Sequence, residues 1–281
     1  MLGHVVTKFL IKQDLDLWFT GRSVNFDAGN KAKFIKFDAK SSIESTFKNL
    51  GNFDYVINCI GIIKPNIDEK VSSSVLNAIE VNSRFPHLLS NFFNNSKILQ
   101  IATDCVYSGL LGNYSEESVH DPQDVYGKTK SLGEVDSSNF MNIRTSIIGR
   151  EIRHHKSLWD WVIKQEKDAS VNGFTNHLWN GVTTLAFAKL VYGIMMDNLF
   201  HATTQHVIPQ NLITKDYLLK SILENEGKLD VKVNPIESSI QINRTLSTQN
   251  QNLNEKLWLS AGYQDIPNIE YLIKEFSSWY Q

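Results

Sequence analysis

Short apolar runs of β-strand character alternate with helical patterns in the first half of the chain, and this alternation constrains the fold more than any other feature. The chain opens with apolar residues at helical spacing from Leu2 to Leu10. Strand-like runs follow at residues 15–20, 33–37, 55–60, 98–102, 141–148 and 206–208. This order is typical of a parallel sheet covered by helices. We therefore predict an α/β fold with a doubly wound, Rossmann-like sheet.

The chain is long enough to carry a second unit beside this sheet. It has 281 residues, whereas a domain typically has about 100–200. We assign residues 1–150 and 181–212 to a Rossmann domain and residues 151–180 and 213–281 to a smaller substrate lobe.

Composition excludes several classes of function. The formal net charge is −2 with dispersed Lys and Arg, which argues against nucleic acid or an anionic membrane as a partner. No apolar run approaches the ~18 residues of a membrane span, and no signal peptide is evident, so we expect a cytoplasmic protein. Two cysteines, Cys59 and Cys105, allow no disulfide framework. The pair His154 and His155 lacks an acidic companion at metal-ligand spacing, so we expect no metal site.

Three polar side chains form a candidate catalytic group. Tyr126 and Lys130 are four residues apart in a predicted helix, so they share one face. A phenol titrates near ~10, and a nearby ammonium stabilises its phenolate. Thr103 follows a predicted strand, at the sheet edge where such folds bind ligands, and its hydroxyl suits a substrate carbonyl.

Several segments resemble one enzyme superfamily when they are taken together and in order. They are TDCVYSG, GNYSEES, DPQDVYGKTKSLGE and NIRTSIIGR, supported by VINCIG and GFTNHLWNGVTTLAFAKLV. This set resembles the extended short-chain dehydrogenases/reductases, and within them the dTDP-4-dehydrorhamnose reductase-like enzymes. The resemblance implies a nicotinamide-binding fold and a nucleotide-sugar substrate held by the smaller lobe.

The resemblance also implies roles for the candidate catalytic group. Tyr126 would protonate the sugar C4 oxygen as hydride arrives, and Thr103 would orient the carbonyl. Lys130 would hold the nicotinamide ribose and lower the pKa of Tyr126. Asp104 is a candidate substrate contact, although in the family this acid usually supports the local backbone.

Arg22 indicates the cofactor. NAD enzymes of this fold generally place an acid at the end of the second strand, whereas an arginine accommodates the 2′-phosphate of NADP. The chain has Arg22 there, with Ser23 as a second donor, so NADP(H) is favoured. Further expected cofactor contacts follow other strands: Asp38 at the adenine edge, and Cys59, Ile60 and Gly61 on the nicotinamide side. Gly3 at the start of the first helix, together with Tyr126 and Lys130, completes the expected cofactor-binding set.

The substrate side shows departures from the family pattern. Cys105 stands where dehydratases of the superfamily usually have Glu, which disfavours dehydration. Ile147 stands where an aromatic residue commonly follows the Thr-Ser pair of the reductases. Trp179 and Asn180 are therefore candidates for the sugar, and Arg244 is a candidate for the diphosphate.

The family's first strand and Gly-rich turn do not appear in these residues, and Gly3 matches only the last glycine of the turn. In a doubly wound sheet that strand is central, so we expect both of its neighbours to lack a ladder partner.

Three functions follow from these observations. The first is NADPH-dependent reduction of a nucleotide-diphospho-4-keto-6-deoxy sugar, in a pathway that supplies deoxyhexoses to surface polysaccharide. The second is a nucleotide-sugar epimerase, which would hold NAD tightly and is disfavoured by Arg22. The third is a reductase-like regulatory or binding subunit, which the missing glycine turn favours. The oligomeric state stays open, with a homodimer as one alternative.

Overall fold

The computed structural model describes residues 1–23, 31–153 and 155–280. His154, one of the two histidines considered above, lies outside the described residues, and His155 Nδ1 lies 3.1 Å from Asp160 Oδ2. The α-helices are α1 (Leu2–Leu10), α2 (Ile43–Phe47), α3 (Ser72–Ala78), α4 (Phe85–Phe92), α5 (Val125–Leu132), α6 (Leu158–Ile163), α7 (Thr184–Met196), α8 (Lys215–Asn225), α9 (Gln251–Ser260) and α10 (Ile269–Tyr280). The strands are β1 (Leu17–Gly21), β2 (Ala32–Lys36), β3 (Tyr55–Asn58), β4 (Lys97–Ala102), β5 (Phe140–Arg144), β6 (Ile147–Ile148), β7 (Ser170–Phe174), β8 (His177–Trp179), β9 (Val182–Thr183), β10 (Thr204–His206), β11 (Ile213–Thr214), β12 (Lys232–Ile236) and β13 (Ile242–Asn243).

Four parallel strands form the main sheet, in the order β10, β5, β4, β3. The inner strands are the most deeply covered, and every residue of β5 is buried. Helices cover both faces, as the continuous apolar runs predict. The predicted Rossmann-like α/β fold is confirmed.

The remaining strands of the first half form a sheet of their own. β1 pairs in parallel with β2, with Leu17 opposite Ala32. Within the described residues, neither strand is hydrogen-bonded to β3. The interruption between β1 and β3 falls where the sequence predicts that two strands lack a central partner.

Two separate apolar clusters cover the faces of the main sheet. On one face, Val6 and Leu10 of α1 pack with Leu99 of β4 and with α7. On the other face, Phe85 of α4 packs with Ile98, also of β4. Because adjacent residues of β4 point to opposite faces, each cluster receives alternate side chains of this strand.

The second half of the chain adds small sheets around a third cluster. β12 pairs with β7, and β8 lies between β11 and β13. Trp159, Trp179 and Leu218 lie in the cluster between these strands and helices α6 and α8. Trp258 of α9 instead shares the cluster of α1 and α7. The predicted division into two units stays a prediction. Helix α9, which falls in the range assigned to the smaller lobe, packs against the main sheet.

The helices are short. The longest in the described part of the chain, α7, has 13 residues, whereas a bilayer needs about 20. Among the residues that the structure describes, no helix has the length and apolarity to cross a membrane.

Candidate active site

Thr103 stands directly after β4, at the carboxyl edge of the main sheet. It caps the short 3₁₀ helix Asp104–Val106, where its Oγ1 accepts a hydrogen bond from the Cys105 backbone at 3.2 Å. The same hydroxyl donates to Asp104 Oδ1 at 3.2 Å. Asp104 therefore fixes the orientation of the Thr103 hydroxyl in this structure, in keeping with the local supporting role considered for this acid. Direct contact of Asp104 with a substrate stays a prediction.

Helix α5 carries Tyr126 to this edge. Its first turn is capped by Asp124, whose Oδ1 accepts from the Gly127 backbone at 2.8 Å. A Cβ on Gly127 would come within 2.2 Å of the Cys105 carbonyl oxygen. Only glycine allows the helix to approach the loop after β4 this closely. The approach places the Tyr126 side chain close enough to Thr103 for the threonine to lower the pKa of the phenol.

The surroundings of Tyr126 keep its proton in place. Burial raises the pKa of the phenol, the nearby Cys105 and Asp104 raise it further, and the hydrogen bond with Thr103 opposes the rise. The side chain is consequently a neutral phenol at physiological pH, which is the form that can donate a proton.

Lys130 lies one turn further along α5 and is buried. Its Nζ donates to the Ile101 carbonyl oxygen at 2.9 Å. Burial lowers the pKa of Lys130 to about 8, opposed by the charge of Glu134. The structure thus brings Thr103, Tyr126 and Lys130 together. The predicted lowering of the Tyr126 pKa by Lys130 stays a prediction, because in this arrangement the ammonium bonds to β4.

A cavity of about 1130 Å³ lies between α1, β1 and β3. Gly3 lines it at the amino end of α1, and a Cβ on Gly3 would lie 3.5 Å from Cys59 Cβ, just after β3. Ser23, Cys59 and Ile60 of the predicted cofactor residues line it too. A helix amino terminus at a strand's carboxyl end is suited to bind an anion.

The donor set at the end of β1 fits a phosphate. Arg22 and Ser23 are both exposed there. Arg153, which the sequence analysis missed, donates from Nη2 to Ser23 Oγ at 3.0 Å. Two guanidinium groups and a hydroxyl are suited to a phosphate monoester, so these residues fit NADP(H). Arg153 lies 130 residues from Ser23, in a segment without a motif, so only the fold could reveal it.

Two other predicted cofactor residues have local roles. Asp38 Oδ1 accepts a hydrogen bond from the Lys40 backbone at 3.0 Å, which closes a turn after β2. Gly61 is exposed after β3, and a Cβ there would lie 3.4 Å from Asn82 Oδ1. Contacts of Asp38 and Gly61 with a cofactor stay predictions.

The predicted substrate residues Trp179, Asn180 and Arg244 are each held by hydrogen bonds to neighbouring segments. Trp179 is 3% exposed, and its Nε1 donates to Ser146 Oγ at 2.8 Å. The side-chain amide of Asn180 bonds to both the backbone N–H and the carbonyl of Leu246. Leu246 comes two residues after Arg244, whose Nε donates to the Tyr107 carbonyl at 2.9 Å. Asn180 therefore anchors the segment that carries Arg244. Direct sugar contacts of Trp179 and Asn180 stay predictions.

Lys215, the first residue of α8, is a further candidate that the sequence did not predict. Its Nζ lies 5.3 Å from the ring centroid of Trp179. Burial lowers the pKa of Lys215 to about 8, Asp104 and Cys105 raise it, and Arg244 lowers it further. The residue thus adds a cation whose charge interacts with Asp104, Cys105 and Arg244. A lone lysine at the start of a helix has no signature in sequence.

Solved structures share this architecture. A dTDP-4-dehydrorhamnose reductase from Clostridium acetobutylicum aligns over 100% of this chain and 96% of its own, at 19% identity and a TM-score of 0.73. The Bacillus anthracis dTDP-4-dehydrorhamnose reductase in complex with NADP aligns over 95% and 99%, at 16% identity and a TM-score of 0.70. A dTDP-glucose 4,6-dehydratase from B. anthracis, in complex with NAD, aligns over 100% and 93%, at 12% identity and 0.73. At these identities the likeness concerns the fold.

Comparison with sequence-family models identifies the family of the chain, whereas the structural likeness shows the fold. A search of curated proteins gave no significant match. The family model of the RmlD substrate binding domain matches residues 11–280, which is nearly the whole chain. The chain therefore belongs to the RmlD substrate binding domain family.

Proposed function

We propose that the protein is an oxidoreductase that uses NADPH to reduce a nucleotide-diphospho-4-keto-6-deoxy sugar. The observation that carries this proposal is the convergence of Thr103, Tyr126 and Lys130 at the carboxyl end of β4. A half-buried neutral phenol, a hydroxyl and a buried ammonium are the groups that carbonyl reduction needs.

Each of these side chains has one task in the reaction. NADPH, when bound, supplies the hydride. The Tyr126 hydroxyl donates its proton to the C4 oxygen of the sugar. The Thr103 hydroxyl exchanges its bond with Asp104 Oδ1 for that oxygen and so orients it. Lys130 exchanges its bond with the Ile101 carbonyl for the nicotinamide ribose, and its positive charge then stabilises the phenolate that Tyr126 becomes.

The thiol of Cys105 favours reduction over dehydration. Burial raises its pKa to about 12, and the neighbouring Asp104 raises it too. A thiol in this state keeps its proton at neutral pH, so it cannot remove a proton from the substrate. The site therefore has an acid for protonating the oxygen and, at this position, no base for elimination.

The basic group at the end of β1 supports NADP(H) over NAD. Arg22, Arg153 and Ser23 supply positive charge and a hydroxyl where a ribose 2′-phosphate would lie. The B. anthracis reductase was solved with NADP, whereas the dehydratase was solved with NAD. A nucleotide-sugar epimerase, the second alternative, would retain NAD and gain nothing from these arginines.

On the substrate side, Arg244 and Lys215 are proposed to hold the diphosphate. Their positive charges influence one another, and a bound anion would relieve that repulsion. The smaller lobe, which carries Lys215, would then hold the sugar next to Thr103. We place the reaction in the cytoplasm, in the supply of deoxyhexoses for surface polysaccharide, and keep a homodimer as one alternative for its assembly.

A non-catalytic binding subunit stays a second candidate, because the sheet is interrupted beside the cofactor residues. Oxidation of NADPH and of NADH, followed at 340 nm with a panel of nucleotide-linked 4-keto-6-deoxy sugars, separates the two. We expect turnover with NADPH and at least one of these sugars. Binding of nucleotide sugars without turnover, in protein that also binds NADPH, would reject the reductase and favour the binding subunit.

Replacing Arg22 by Ala tests the cofactor assignment. The substitution removes one partner of the 2′-phosphate, so the KM for NADPH should rise by about 10-fold or more, while the KM for NADH stays within 2-fold. A matched Lys31→Ala variant, which removes an exposed cation at the start of β2, should change neither. An equal rise for both cofactors after Arg22→Ala would reject the assignment.

Lys215→Met tests the diphosphate assignment. Methionine keeps the apolar stem against Trp179 and removes the charge, so the KM for the nucleotide sugar should rise by about 10-fold with little change in kcat. Lys220→Met, on the same helix, removes a half-exposed ammonium that pairs with Asp216 and serves as the control. A fall in kcat at unchanged KM would place Lys215 in the chemical step instead.

A further inference from the structure

Arg144, the last residue of β5, is the centre of a buried polar cluster. Its guanidinium donates from Nε to Glu134 Oε1 at 3.0 Å, and from Nη2 to Glu134 Oε2 and to His120 Nε2. Its Nη1 donates to the Tyr107 hydroxyl at 2.6 Å and to His206 Nε2 at 2.7 Å. A guanidinium has five N–H donors, so all of them are used here. We call these five residues the arginine cluster.

The directions of the hydrogen bonds in the arginine cluster follow from the chemistry of arginine, which donates and does not accept. His206 therefore accepts through Nε2 and carries its proton on Nδ1, which donates to the Ser247 carbonyl at 2.6 Å. The Tyr107 hydroxyl accepts from Arg144 and donates to the Ser115 carbonyl at 2.8 Å. The Tyr107 ring and the Ser247 backbone are thus both connected to one guanidinium.

Tyr107 connects the catalytic group with the candidate diphosphate ligand. It directly follows the 3₁₀ helix Asp104–Val106, which Thr103 caps. Its carbonyl oxygen accepts a hydrogen bond from Arg244 Nε at 2.9 Å. Its ring stacks on Tyr114, with the ring centroids 4.3 Å apart and the planes 2° from parallel. Because the hydroxyl and the carbonyl belong to one residue, a shift of the Tyr107 ring would also move the carbonyl that orients Arg244.

The arginine cluster holds the segment of Arg244 from a second direction. Ser247, whose carbonyl accepts from His206, comes three residues after Arg244. Arg144 is therefore linked to this segment through Tyr107 and, independently, through His206. A misplacement of about 1 Å in a group that binds substrate can cost about 10²-fold. Two links to one buried guanidinium restrict such a misplacement of Arg244.

We propose that Arg144 and Tyr107 are positioning residues that aim the Arg244 guanidinium at the diphosphate of the substrate and fix its place relative to Thr103. The inference rests on the proposed function, in which Arg244 is a diphosphate ligand. Arg144 and Tyr107 are both buried, so they act through Arg244 and not by touching the substrate. Loss of their contact should weaken binding of the nucleotide sugar and leave the chemical step intact.

Tyr107→Phe tests the proposal, because phenylalanine keeps the ring on Tyr114 and removes only the hydroxyl that Arg144 holds. Arg144→Met is a poorer test, since it would leave the Glu134 carboxylate buried without its partner. The measurement is calorimetric titration with dTDP-glucose and with UDP-glucose, two nucleotide sugars that carry the diphosphate and lack the 4-keto group. We expect the Kd of the tighter-binding sugar to rise by about 3- to 10-fold, which corresponds to one lost hydrogen bond. The kcat for a 4-keto sugar and the Kd for NADPH should stay within about 2-fold.

A double-mutant cycle separates positioning from a general loss of stability. In an Arg244→Met background, Tyr107→Phe should change the Kd by less than about 2-fold, because the group that Tyr107 orients is already absent. His206→Gln keeps an acceptor for Arg144 and loses the bond to the Ser247 carbonyl. It should give the same pattern, and it decides the matter if Tyr107→Phe does not fold.

Tyr263→Phe is the matched control. It removes another buried phenol hydroxyl, which donates to Glu275 Oε2 at 2.7 Å. This variant should lose stability and leave the Kd for the nucleotide sugar unchanged.

The inference is overturned if Tyr107→Phe and His206→Gln leave the Kd within about 2-fold of the wild-type value, or if they raise it equally with and without Arg244. Wild-type protein that binds a nucleotide sugar without turnover would reject the reductase alone, because the titrations need no turnover. Wild-type protein that binds neither nucleotide sugar would have no diphosphate contact for Arg244 to make. The inference would then fail together with the substrate assignment.

Discussion

Tyr126→Phe should lower kcat for 4-keto sugar reduction by about 10²–10⁴-fold, the range for loss of a general acid. Phenylalanine keeps the aromatic ring of this half-buried side chain, so the change removes only the hydroxyl that donates the proton and interacts with Thr103. Because neither Arg22 nor the end of β1 is altered, the Kd for NADPH should stay within about 3-fold. Steady-state kinetics and fluorescence titration with NADPH measure the two quantities separately.

Tyr271→Phe is the matched control, because Tyr271 lies on α10 and its side chain is exposed. It should leave both kcat and the NADPH Kd unchanged. Turnover by Tyr126→Phe at the wild-type rate would remove the phenol from the mechanism. If the affinity of Tyr126→Phe for NADPH falls as much as its kcat, the main role of Tyr126 is instead to hold the cofactor.

Much of the fold was predictable because it depends on local patterns. The runs around Ile98 and Met141 place apolar side chains on both faces of the sheet, as expected for strands covered on both faces. The spacing of Tyr126 and Lys130 predicted one helix face, and α5 spans both. Boundaries were less exact, since the predicted run at residues 141–148 is two strands, β5 and β6.

The parts of the site that sequence could not reveal depend on contacts between distant segments. Arg153 reaches Ser23 across 130 positions, and Lys215 reaches Trp179 from another element. Neither residue stands in a motif, because a single cation needs no particular neighbours in sequence. The local environment of Lys130 was also beyond prediction, since its bond to the Ile101 carbonyl follows from how α5 packs on β4.

The close approach of α5 to the loop after β4 is the structural condition for the whole catalytic group. A Cβ on Gly127 would lie 2.2 Å from the Cys105 carbonyl oxygen and 2.7 Å from Pro122 Cβ. Neither atom is the end of a flexible side chain, so the helix itself would have to move. In an uncrowded helix, Gly→Ala raises the free energy of unfolding by about 1 kcal/mol. A decrease at Gly127 would therefore show that the close contact outweighs the helix propensity of alanine.

We expect Gly127→Ala to lower the free energy of unfolding by about 1–3 kcal/mol, the range for overpacking. It should also lower kcat/KM by about 10²-fold, since a shift near 1 Å would separate Tyr126 from Thr103. Urea unfolding and initial rates measure the two effects.

Gly193→Ala is the control, because its Cβ would meet the Ser260 backbone at 2.6 Å, far from the site. That variant should lose comparable stability at native kcat. A Gly127→Ala protein more stable than wild type would show that helix propensity outweighs the contact, and that Tyr126 does not depend on this glycine for its place beside Thr103.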